Sequence, residues 1–112
     1  MTRHDAAAAK MAALFDPEPE VWGLRGDPYV WRTLRDRLAG TDVPPTTEAA
    51  TALLRAAFAE VVGVDLDTPE SSVYREQYAH GGMSSGVVHL DTWRERLMPM
   101  LVERAGLLAR AA

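Results

Sequence analysis

The sequence predicts a mostly α protein, a compact bundle of four or five helices, with a minor two-stranded antiparallel β-element pairing about 21–25 with 87–90. Three observations lead there. The 112 residues suit a single domain, 1–112, and leave no room for a second core. Four stretches carry apolar residues at helical spacing. Glycine, proline and capping residues punctuate the chain between them.

The first helix is expected over 1–15. Thr2 followed by Asp5 resembles a capping box, Ala8, Met11, Ala12 and Phe15 form an apolar stripe, and Pro17 and Pro19 end it. Val21 to Arg25 is short, partly alternating and broken by Gly23, so it reads as a strand or an ordered loop. The second helix is expected over 27–39. Asp27 is its N-cap, Pro28 its first residue, Gly40 its C-terminal cap, and Trp31, Leu34 and Leu38 its buried face.

The third helix, 47–62, has the most regular pattern. Thr46 or Thr47 caps it, Gly63 follows it, and Ala50, Leu53, Leu54, Ala57, Phe58 and Val61 share one face. Thr68-Pro69-Glu70 then opens a short helix towards Tyr78, which would place Tyr74 and Tyr78 on one face. Residues 80–86 read as a glycine-serine loop, and 87–90 as a strand. The last helix is expected over 91–109, capped by Asp91 and buried through Trp93, Leu97, Met100, Leu101 and Leu108. Pro99 falls inside it, so a kink or break is expected near Leu97 and Met98.

Composition removes several function classes. There is no cysteine, which excludes disulfides, thiolate catalysis and Cys-based zinc sites. The net charge of −4 argues against nucleic acid as a partner. No apolar run approaches the ~20 residues that span a bilayer. The run Ala6–Ala9 is preceded by Asp5 and followed by Lys10, so it reads as helix and the protein as cytoplasmic. Eleven of twelve basic residues are arginine, and alanine is abundant, the bias of a GC-rich bacterial genome. Acidic residues gather in two clusters: Asp16, Glu18 and Glu20, then Glu60, Asp65, Asp67 and Glu70 with no base between the last four.

Two segments hold the candidate binding residues. In His80-Gly81-Gly82-Met83-Ser84-Ser85-Gly86, three glycines and two hydroxyls could expose successive amides to an anion. The lysine of a nucleotide P-loop is missing, and the elbow of a serine hydrolase has one residue too many. Ser84 or Ser85 with His80 or His89, oriented by Asp91, would be a nucleophile and base only at hydrogen-bond distance, which sequence proximity does not supply. His4, His80 and His89 lack metal-ligand spacing, so no metal or cofactor is expected. The second segment holds Trp22, Arg25, Asp27, Tyr29 and Trp31, residue types that serve both interfaces and cores. The embedded Arg-Gly-Asp is read as chance. The third helix offers Arg55 as its one base, too few for a recognition helix in DNA.

The leading expectation is a non-catalytic, acidic interaction protein with a basic protein as partner, such as an immunity or antitoxin-like protein that neutralises a toxin. The alternative is a small enzyme or anion-binding domain using the His80–Gly86 loop with Arg25 and His89. A homodimer through the Pro99 helix is the third.

Overall fold

The computed structural model describes residues 11, 13–19, 26–79 and 82–111, with backbone alone at 26, 75–79, 82–85 and 111. Among these residues there are three helices, not four or five, and one two-stranded antiparallel sheet. Most of the helix expected over 1–15 lies outside the described residues; Met11, Ala13 and Leu14 are helical and Phe15 is a turn.

Helix α1 spans Gly26–Leu38. Pro28 sits in its first turn, where a missing N–H costs nothing. The helix begins one residue earlier than expected, so Asp27 lies inside the first turn rather than at the cap. Val30, Trp31, Leu34 and Leu38 are buried. Gly40 is not a left-handed cap; that conformation belongs to Gly63.

Helix α2 spans Thr47–Val62. The Thr46 hydroxyl accepts the Ala49 N–H at 3.1 Å, closing the N-terminus. Gly63 closes the other end with φ 88°, its N–H reaching the Ala59 carbonyl. Between these ends Ala50, Leu54, Ala57, Phe58 and Val62 face the core.

The sheet corrects the sequence reading most. Strand β1 is Val73–Ala79 and strand β2 is Gly82–Val88, paired antiparallel from Val73 opposite Val88 to Ala79 opposite Gly82. The short helix expected towards Tyr78 is therefore a strand, and most of the expected 80–86 loop is strand too. Residues 87 and 88 pair with 74 and 73; the expected partner 21–25 lies outside the described residues. Of the two strands, β2 is the one packed on α1.

Helix α3, residues 90–111, is continuous through three stretches: Leu90–Thr92, a wide π-turn Trp93–Leu97, and Met98–Ala111. The chain enters it at His89, not at Asp91. Pro99 does not break it. Proline cannot bond to the carbonyl four residues back and its ring crowds that carbonyl. The π-turn opens the helix just before it, and the Met98 N–H reaches back five residues to Trp93.

Trp31 and Trp93 meet at the centre of the core, 6.3 Å apart. Phe58 packs 5.1 Å from Trp93, and Phe15 meets Trp31 edge-on at 5.4 Å. The Trp31 indole N–H donates to the Phe15 carbonyl at 3.1 Å. Arg104 lies 5.6 Å over the Trp31 ring and donates to the Leu14 carbonyl, tying the 11–19 segment to α3. Gly63→Ala forces a side chain into the left-handed region and should lower stability by about 1 kcal/mol, read as a shift in urea midpoint with an unchanged slope.

Candidate functional site

The site grows from one carboxylate. Asp27 is 3% exposed, the one buried charged residue among those described. A buried carboxylate is costly unless its lone pairs are filled. Here they are filled by three donors. The His89 backbone N–H and the Trp93 indole N–H both reach Oδ1, at 3.0 and 3.1 Å. His89 Nδ1 lies 2.7 Å from Oδ2. An ionised carboxylate only accepts, so Nδ1 carries the proton and donates. Among the described residues nothing bonds to Nε2, on a side chain 29% exposed.

Three elements converge on this point. Asp27 comes from the first turn of α1, close to the positive end of the helix. His89 is the joint between β2 and α3, and Trp93 opens the π-turn. Asp27 therefore acts as the fixture that sets the hairpin root against the helical core.

Arg94 is a second fixture, unread in the sequence. Its Nε donates to the Leu66 carbonyl at 2.8 Å, and its Nη2 to those of Thr68 and Glu70 at 2.8 and 3.3 Å. Nη1 pairs with Asp91. One guanidinium thus gathers the whole connector between α2 and β1, while the Asp91 N–H donates to the Ser71 carbonyl. Only the Asp91–Arg94 spacing of three hinted at this in the sequence.

Of the expected binding residues, the structure joins Asp27 and His89. Trp31 is wholly buried and belongs to the core. Tyr29 is half-buried on α1. Met83, Ser84 and Ser85 lie on β2 opposite Tyr78, Gln77 and Glu76. Trp22, Arg25 and His80 lie outside the described residues. Tyr74, on β1, is 58% exposed. No group of three His, Asp or Glu among the described residues could hold a metal. No helix there is long and apolar enough to cross a membrane.

Chemically, the carboxylate and imidazole make two members of a triad: Asp27 fixes the tautomer and would stabilise an imidazolium. No serine or threonine hydroxyl among the described side chains bonds to the ring. The geometry is that of an anchor. Asp27→Ala leaves two buried donors unmatched and should cost about 3 kcal/mol in urea denaturation. His89→Ala removes the imidazole and leaves the buried Asp27 Oδ2 without its donor, but keeps both bonds to Oδ1, so it should cost less, about 2 kcal/mol. Equal losses for the two variants would contradict the anchor role. The chain matches no protein family, no curated protein and no solved structure.

Proposed function

We propose that this chain is a non-catalytic interaction module that offers the outer edge of β1 to an extended segment of a basic protein. The observation that carries the reading is the hairpin. Its root is held by Asp27 and Arg94, and among the described residues β1 pairs only with β2. In a hairpin closed at Ala79 and Gly82 over two residues, that closing pair is hydrogen-bonded. Glu76 and Tyr78 then turn their backbone groups away from β2, where a partner strand could add.

Charge favours a basic partner, since the chain carries −4. Part of the acid in the two sequence clusters is paired within the chain. Glu18 pairs with Arg32, Glu60 with Arg37, and Asp65 and Asp67 both with Arg55. The remaining negative charge would supply attraction, and the strand edge recognition. Neutralisation of a basic toxin is one role within this class. A second reading, an enzyme or anion-binding domain centred on His89, draws on the Asp27–His89 contact; it needs a ligand at Nε2.

Glu76→Pro removes one outward N–H and leaves the β2 ladder intact. As paired baits in host extract, wild type should retain a basic protein that the variant releases, with unchanged circular dichroism. The same protein held equally by both would overturn the strand-edge reading.

A further inference from the structure

We infer that the protein pairs with a second copy of itself through α3, antiparallel, about a two-fold axis between Gly106 and Leu107. This goes beyond the strand-edge reading and does not depend on it.

A groove of about 430 Å³ runs between α2 and the second half of α3, with Thr51 and Arg55 on one side and Pro99, Val102 and Gly106 on the other. Gly106 is the first clue. It lies inside regular helix, where glycine is destabilising relative to alanine. A Cβ there would meet only the Arg110 guanidinium, at an ordinary 3.5 Å. Nothing in the single chain requires glycine, whereas a close approach by another chain does. Beside it, Leu107 is 55% exposed, one of two large apolar side chains left open among the described residues.

The charges supply the register. The groove holds three arginines and one glutamate. Arg55 is paired with Asp65 and Asp67, and Arg94 with Asp91 and three carbonyls. Glu103 and Arg110 have no ion pair or hydrogen bond among the described residues. They lie two turns apart, ~10 Å along the axis, on the face that also carries Pro99 and Gly106. A small anion would satisfy Arg110 and leave Glu103 unmatched. A second copy satisfies both.

With the axis between 106 and 107, Glu103 of each chain stands opposite Arg110 of the other, and Leu107 opposite Gly106. Leu107 enters the hole that the missing side chain leaves, the arrangement of knobs in holes. The contact is the same patch on both chains, so it closes at two. It uses the far half of α3 from His89, so the hairpin stays free in the pair.

Sedimentation equilibrium from micromolar to millimolar concentration tests this, with circular dichroism to confirm folding. Wild type should form a concentration-dependent dimer. Glu103→Arg and Arg110→Glu, each alone, should weaken it at least roughly tenfold by setting like charges together. The two reversals combined should restore it, and Leu107→Glu should give a monomer. A wild type that stays monomeric throughout, or a dimer indifferent to the single reversals or not rescued by the double one, would overturn the inference.

Discussion

The fold depends on a carboxylate held away from bulk solvent. Asp27 is buried where α1, the hairpin and α3 meet, and its cost is offset only if His89 and Trp93 bring their donors to it. That condition fixes geometry that apolar packing leaves open. Trp31 and Trp93 would be buried in many arrangements of three helices. The Asp27 bonds select the one in which the π-turn lies beneath the start of α1 and β2 leaves the core at a set angle. Removing one member costs more than the bond itself, because the remaining polar atoms stay buried.

How much of this the sequence showed depends on the range of the interaction. Helix α2 was legible almost to the residue, since its caps at Thr46 and Gly63 and its apolar stripe are all local signals. Asp27 was legible as a residue of consequence but not in its role. A helix cap and a tertiary acceptor look identical when Asp precedes Pro, and the partners lie 62 and 66 residues away. The hairpin was missed because Val73–Ala79 has tyrosines at i and i+4, a helical spacing, and because Gly82–Val88 has little alternation. Its pairing comes from the complementary edge of the other strand, which neither segment contains. The ion pairs within the acidic clusters were not legible either: Arg37 meets Glu60 from another helix, and Arg55 meets Asp65 and Asp67 across the end of α2.

The candidate site was half legible. Asp27 and His89 came from two different segments, each singled out for its unusual composition, and the fold joins them. Arg94 was not visible, because an arginine that gathers backbone carbonyls has no sequence pattern. Together the two fixtures explain how a two-stranded hairpin, marginal in isolation, can stand on a small helical base.

The π-turn has a further consequence, which concerns helical phase. One extra residue in a helix rotates everything after it by about 100° relative to everything before. Trp93 and Leu97 are buried before the join, and Leu101 and Ala105 after it, so the core already absorbs that rotation. The turn thus works as a fixed offset between two halves of α3. Its near half is set by Asp27, and its far half presents Glu103, Gly106 and Arg110. A one-residue deletion within 93–98 would restore regular helix and swing that far face away from where it now points. The length of this short stretch, more than the identity of any residue in it, keeps the hairpin and the far face of α3 in register.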